Sequence, residues 1–339
     1  SFIKTDKGVL AVAVDENEQV HLGNLLKNIF FDSKKDCITV IHNPGGIQSE
    51  NISNTNDYCY FVYPDIADTI KKVKREESNI EPLRDWGGNE SKRSNAKNCF
   101  YPIYVNDNNE IVDFGDVCND DFHPGKQNTK EEDNMTAVYP VDNNGIERKW
   151  RYSRQTIESI KSQLLCVEKK GIKSIKNEKY YFRVKTTWLD SKYNGNIYGT
   201  QLLNSIIGTN PFKFPKSLFT VVDSLSISTE SDSLTLDFFA GSGTTGHAVL
   251  RLNREDNEKE NGTGNRKSIM VEMGEYFHSV TKPRIHKVIF SDDWKAGKPQ
   301  DDGKPGSPRA DREIFLARGI RGHAQQPAVA AERCPAGRV

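Results

Sequence analysis

The residues whose types and spacing could do chemistry lie together in one stretch. Gly241, Gly243 and Gly246 are spaced as G-x-G-x-x-G, directly after the apolar run Leu234-Thr-Leu-Asp-Phe-Phe-Ala240 and directly before a helical pattern that opens at His247. Glycines at a strand-to-helix turn let a ligand come close to the backbone, and a helix start offers amide groups that have no partners of their own. Glu272 ends a second apolar run, Ser268-Ile-Met-Val-Glu272, where a carboxylate can accept from two ribose hydroxyls. Taken alone, the turn admits a nicotinamide dinucleotide or S-adenosylmethionine.

Three local features separate these two ligands. Asp237 stands four residues before Gly241, where its carboxylate would repel a diphosphate and attract the ammonium and sulfonium of S-adenosylmethionine. Glu272 lies 26 residues past Gly246, beyond the roughly 20 expected of a dinucleotide fold. Phe238 and Phe239 offer an apolar wall for a methionine chain. The chemistry favours S-adenosylmethionine, with an oxidoreductase using NAD as the alternative.

The segment Leu236-Asp-Phe-Phe-Ala-Gly-Ser-Gly-Thr-Thr-Gly-His-Ala-Val249 resembles the cofactor motif of amino-methylating DNA methyltransferases. It is most similar to the β-type enzymes that form the modification subunits of type III restriction–modification systems. Val271-Glu-Met-Gly-Glu-Tyr-Phe277, Lys282-Pro-Arg-Ile285 and Trp294-Lys-Ala-Gly-Lys-Pro299 resemble the stretches that follow in that family. Upstream, Gly8-Val-Leu-Ala-Val-Ala-Val-Asp-Glu-Asn-Glu18 is similar to the strand and turn that come just after its catalytic motif. His42-Asn-Pro-Gly-Gly-Ile-Gln48, Asp85-Trp-Gly-Gly88, Phe114-Gly-Asp-Val117 and Lys185-Thr-Thr-Trp-Leu-Asp190 read like parts of its middle region.

The resemblance implies an α/β fold: a Rossmann-like S-adenosylmethionine-dependent sheet in permuted β-type order, carrying a loop-rich target-recognition insertion. It implies transfer of a methyl group to adenine N6 in double-stranded DNA. A restriction subunit of the same system, a homodimer of modification subunits and a cytoplasmic setting are implied with it. Asp237, Phe239 and Ala240 would line the methionine end, with Gly241, Ser242, Gly243 and Thr244 forming the backbone cradle and Glu272 holding the ribose. In Phe214-Pro-Lys-Ser-Leu218, Lys216 and Ser217 would meet the methionine carboxylate. The family's catalytic loop, Asp-Pro-Pro-Tyr, occurs nowhere in the 339 residues. In β-type order it precedes the Gly8 segment, so the expectation is a fragment that begins just downstream of it and is inactive alone. No catalytic residue and no metal ligand is assigned. A DNA-binding module without catalysis is the second alternative.

These residues need elements to hold them. Val9-Leu-Ala-Val-Ala-Val14 reads as a strand covered on both faces, as in a parallel sheet, and Val20 to Phe30 as a helix. Cys37–His42 and Tyr58–Tyr63 read as further strands. From Ile66 to Phe214 the periodicity weakens, apart from short strands and one amphipathic helix over Ser153–Glu168. At Leu234 a buried strand returns, and a last helix is expected over Tyr276–Phe290. The expected division is therefore a truncated catalytic half over 1–65, the recognition insertion over 66–213, the cofactor half over 214–300 and a disordered tail over 301–339. That tail has no Asn and favours Arg over Lys, against the habit of the rest, as a different coding origin would produce.

DNA contact is expected in the insertion at Arg148-Lys-Trp-Arg-Tyr-Ser-Arg154. There Arg148, Lys149, Arg151 and Arg154 alternate with Trp150 and Tyr152, a mixture suited to phosphates and bases. A basic coat over the whole surface is excluded, because 47 basic residues face 47 acidic ones. No apolar window approaches a membrane span. The six cysteines form no C-x-x-C pair, as expected of reduced thiols.

Overall fold

The computed structural model describes residues 7–46, 51–66, 68–131, 134–209, 212–259 and 262–300, with the backbone of two further strands at 314–318 and 330–333. Two compact units share the chain, one built from 1–72 and 184–339 and the other from 73–183. The first unit opens with β1 (Leu10–Val14), α1 (Gln19–Ile29), β2 (Lys34–Ile41) and β3 (Asn56–Tyr63). α1 turns Leu26 and Gly23 inward but leaves Val20, Leu25 and Ile29 exposed. A Cβ at Gly23 would run into the Tyr60 phenol oxygen, so a side chain there would require the phenol to move. β1 pairs antiparallel with β3, and Ala11 and Ala13 face solvent, so the expected parallel strand covered on both faces is corrected. Its small alanines fill one face of a period-two strand, and among the described residues nothing pairs with its other edge.

The second unit covers 73–183. It holds β4 (Val73–Pro82), β5 (Ile103–Val105), β6 (Ile111–Phe114), β7 (Asn128–Lys130), β8 (Thr136–Val138), β9 (Leu164–Lys169) and β10 (Ile172–Phe182). They form two antiparallel sheets, ordered β4-β10-β9 and β6-β5-β8-β7. Leu83, Tyr101, Ile103, Phe114, Val138, Trp150 and Ile175 make its core. The helix expected over Ser153–Glu168 is shorter: α2 (Arg154–Ile157) continues as a 3-10 segment only to Gln163. From Leu164 the chain is claimed by a hairpin. Lys170 and Gly171 both have positive φ, the geometry of a two-residue turn whose twist matches paired strands.

The chain then returns to the first unit. β11 (Thr187–Trp188) pairs parallel with β2, giving the order β1-β3-β2-β11. α3 (Leu202–Ile207) and α4 (Leu218–Ser228) follow, then β12 (Leu234–Asp237), α5 (Thr244–Asn257), β13 (Lys267–Glu272) and α6 (Lys282–Phe290). β12 and β13 are parallel and joined through α5, a β-α-β unit. α4 and α5 bury Leu218, Val222, Leu225, Ala248, Val249 and Leu252 together. α5 and α6 cover β13 through Leu250, Met270, Ile285 and Val288. β14 (Trp294–Lys295) and β15 (Lys298–Pro299) form a short hairpin.

Two departures concern the cofactor half and the tail. β12 is not a buried strand: Leu234 and Leu236 are exposed, because the strand pairs only with β13 among the described residues. Within the expected tail, β16 (Ile314–Arg318) pairs parallel with β13, and β17 (Ala330–Arg333) pairs antiparallel with β16. The rest of 301–339 lies outside the described residues, as do Ile47 and Gln48 of the His42–Gln48 segment.

Candidate functional site

The glycine turn between β12 and α5 is held by hydrogen bonds from all sides. Asp237 closes β12, and its carboxylate accepts from the Phe239 amide at 3.0 Å and from the Thr245 hydroxyl at 2.6 Å. The Gly243 amide donates back to the Ala240 carbonyl at 2.7 Å. Gly241 and Gly243 have φ of +54° and +82°, a region that costs a side-chain-bearing residue strain. Gly246 serves packing instead. A Cβ there would sit 2.6 Å from Met270 Cε and 2.8 Å from Ile285 Cδ1. Two glycines shape the turn and the third admits close helix–strand contact, the division of labour known for such turns.

Glu272 reaches across from the end of β13. It is only 7% exposed, and its two oxygens accept from the Gly241 and Gly274 amides, each at 2.7 Å. Burial raises the Tyr276 phenol above its ordinary pKa, and the charge and hydrogen bond of Glu272 raise it further. Thr281 donates its hydroxyl to the Gly241 carbonyl at 2.6 Å. It does so from a π-helical turn, Phe277–Thr281, that precedes α6.

Beneath the turn lies a completely buried arginine. Arg284 donates from Nη1 to the Ser242 hydroxyl at 3.1 Å and the Thr244 hydroxyl at 2.9 Å, with the Ser242 carbonyl at 3.3 Å. Its Nη2 lies 3.3 Å from His247 Nδ1. A guanidinium only donates, so that nitrogen of His247 accepts and the imidazole is neutral. Burial, and then the charge of Arg284, push His247 well below its ordinary pKa. Burial alone pushes Arg284 down to about 9, and its Nε has no partner among the described residues.

The expected cofactor residues divide into two groups. Asp237, Ala240, Gly241, Ser242, Gly243, Thr244 and Glu272 come together at the turn, with Phe239 beside them 86% exposed. Lys216 and Ser217 are engaged elsewhere: Lys216 pairs with Asp57, and Ser217 caps α4 through the Phe219 amide while donating to the Lys192 carbonyl. No hydrogen bond or ion pair joins them to the turn among the described residues. Arg284, His247, Thr281 and Tyr276 were not singled out from sequence. Lys282-Pro-Arg-Ile285 carried a signal, since an arginine amid apolar helix positions has to find acceptors once buried.

The basic run of the second unit is mostly internal. Trp150 is buried and donates to the Tyr101 carbonyl at 2.8 Å, so its ring is part of the core and not of the outer surface. Arg148 is tied to Asp142 and Ser91, and Arg154 to the carbonyls of Phe114 and Gly115. Tyr152 accepts from Asn177 at 3.4 Å. Lys149 and Arg151 remain nearer the surface, beside Asp85 and Glu81. No helix among the described residues is long and apolar enough to cross a membrane.

Comparison with known proteins adds to this geometry. A family described as DNA methylase matches residues 3–283. The type II methyltransferase M.KpnI of Klebsiella pneumoniae is 31% identical over 297 residues, covering 83% of this chain and 65% of its own length. The type III restriction–modification enzyme EcoPI Mod subunit of Escherichia phage P1 is 27% identical over 322 residues, 85% of this chain and 48% of its own. The StyLTI Mod subunit of Salmonella typhimurium is 30% identical over 114 residues, 32% of this chain and 18% of its own. This chain thus spans about half to two thirds of the length of the first two relatives.

Proposed function

From the premise that the chain belongs to the DNA methylase family, we propose that it is part of a methyltransferase acting on adenine N6 in double-stranded DNA, with S-adenosylmethionine as methyl donor. The observation that carries the reading is the turn itself: two positive-φ glycines between the carboxylates of Asp237 and Glu272. That donor set fits a ligand with ribose hydroxyls and a cationic centre, and it disfavours a diphosphate. Bound there, S-adenosylmethionine supplies an electrophilic methyl group on a sulfonium.

The chain's own residues bind and orient. Glu272 accepts from a backbone amide at each oxygen and from the Tyr276 phenol, which still leaves acceptor capacity for a ribose hydroxyl. Asp237 is fixed by Thr245 and Phe239 N, so its charge stands ready beside the turn. The start of α5, with Arg284 beneath Ser242 and Thr244, gives a positive field for the methionine carboxylate, the task first expected of Lys216 and Ser217. No residue here is given the task of holding the target amine, because the 339 residues contain no Asp-Pro-Pro-Tyr.

The same reading assigns the strands β1–β3 and β11–β13 to a methyltransferase core in permuted β-type order, and the 73–183 unit to target recognition. Phosphate contact in that unit falls to Lys149 and Arg151. A type III assembly, with a restriction subunit and a homodimer of modification subunits in the cytoplasm, is supported by the Mod subunits among the relatives. A methyltransferase outside type III systems is the second reading, supported by the type II relative. Melting curves test the cofactor. S-Adenosylmethionine is expected to raise the melting temperature and NAD to leave it unchanged; stabilisation by NAD alone would overturn the assignment.

A further inference from the structure

The second unit contains a cavity to which the basic run contributes Trp150. It has a volume of about 220 Å³ and is lined by Arg84, Trp86, Gln127, Tyr139, Trp150 and Lys176, among others. That is below the roughly 300–1,000 Å³ of pockets for drug-sized ligands, so a single flat ring system is the natural occupant. Trp150, Tyr139 and Ile175 are buried and supply a rigid apolar floor.

The rim is built differently. Trp86 is 68% exposed, and among the described residues its indole makes no ring contact and no hydrogen bond. A large aromatic left in water beside a cavity is an open stacking surface. Gln127 spends both its N–H donors on the Lys173 carbonyl and the Ser174 hydroxyl, and its oxygen accepts from Arg84 Nη1 at 3.1 Å. Arg84 Nη1 also donates to the Val141 carbonyl. Arg84 is thus fixed through one nitrogen, while Nε and Nη2 have no acceptor among the described residues; the Asp142 carboxylate acts on its charge without an ion-pair contact there. Lys176 is half-buried, and its ammonium makes no hydrogen bond or ion pair among the described residues. A guanidinium with two nitrogens to spare, a lysine without an ion pair among the described residues and a bare indole around an apolar slot match one chemistry: a nucleobase with its phosphate.

We propose that this cavity receives one unstacked base of the DNA substrate. The base stacks on Trp86, Arg84 hydrogen-bonds its edge, and Lys176 pairs with the adjoining phosphate. The inference rests on the proposed action on DNA and names a reading pocket within the recognition unit. Its residues are Arg84, Trp86 and Lys176, distinct from the Arg148–Arg154 run.

The test uses the whole chain and fluorescence anisotropy with three probes: a mixed-sequence duplex, a short mixed-sequence single strand, and the same backbone with every base removed. The wild-type chain is expected to bind the single strand more tightly than the abasic strand. Trp86→Ala is expected to bind the single strand roughly 5- to 150-fold more weakly, the worth of one base–aromatic stack. Trp86→Phe should restore most of that affinity, and Lys176→Ala should weaken all three probes alike. Equal binding of the base-bearing and abasic strands would mean that the cavity takes phosphate alone, and it would overturn the proposal. So would unchanged affinity in Trp86→Ala while the duplex still binds, with the proposed action on DNA left standing. Failure of the wild-type chain to bind any probe would overturn both.

Discussion

At the scale of single residues, Glu272 has two functions in one side chain. It accepts from the Gly241 and Gly274 amides and is also the proposed ribose ligand. Glu272→Ala is expected to weaken S-adenosylmethionine binding by roughly 1.5–3 kcal/mol, the loss of hydrogen bonds to a charged group. Calorimetric titration checks this, and Glu272→Gln should fall between alanine and wild type. Unchanged affinity in the alanine variant would remove the acid from the site. His247 gives a pH signature. Its folded pKa lies well below its ordinary value, so the unfolded chain binds the extra proton. Stability from this group is therefore fully present above about pH 6.5 and is lost as pH falls from there toward the lower folded value. Denaturation midpoints across that window should fall less steeply in His247→Asn than in wild type; identical slopes would refute the linkage.

Elements show how far the sequence could be read and where it stopped. The β12–turn–α5–β13 unit was legible, because glycines, an acid and two apolar runs follow one another without interruption. Gly246 is the firmest part of that reading. Gly246→Ala forces a methyl group to within 2.6 Å of Met270 and should destabilise the chain by about 1–3 kcal/mol, measured by chemical denaturation. A neutral result would mean that Met270 and Ile285 can move aside. The middle region was less legible. Helical spacing over Ser153–Glu168 was real for one stretch, but Lys170-Gly171 closed a hairpin that captured Leu164–Lys169 as a strand. The basic run was only partly legible for a similar reason. Spacing does not reveal that Arg148 and Arg154 donate inward to carboxylate and carbonyl oxygens, or that Trp150 is core. Tertiary partners, not local pattern, decide the fate of such side chains.

At the scale of the whole molecule, β1 and β12 matter as strands with one edge unpaired among the described residues. β1 pairs only with β3 and β12 only with β13 among the described residues, and Leu234, Leu236, Phe238 and Phe239 are exposed at or just beyond β12. Unpaired edges with apolar faces are templates for self-association, and a formal net charge of zero gives little repulsion against it. Light scattering should show aggregation that Leu236→Lys reduces. The same molecule is expected to bind its cofactor without completing the reaction. The turn, Asp237 and Glu272 are assembled, but no Asp-Pro-Pro-Tyr is present to hold the target amine in line. Alignment of a nucleophile by fixed acceptors can be worth about 7–11 kcal/mol of barrier, so its loss removes detectable turnover. A tritiated methyl-transfer assay on plasmid DNA with this 339-residue chain should therefore read background, even where melting curves show S-adenosylmethionine bound. Incorporation near the rate of a full-length relative would show that other groups position the amine. Asp15 would then be the first to examine, because it opens the turn after β1 and its carboxyl is held below the usual range by the Asn17 side chain.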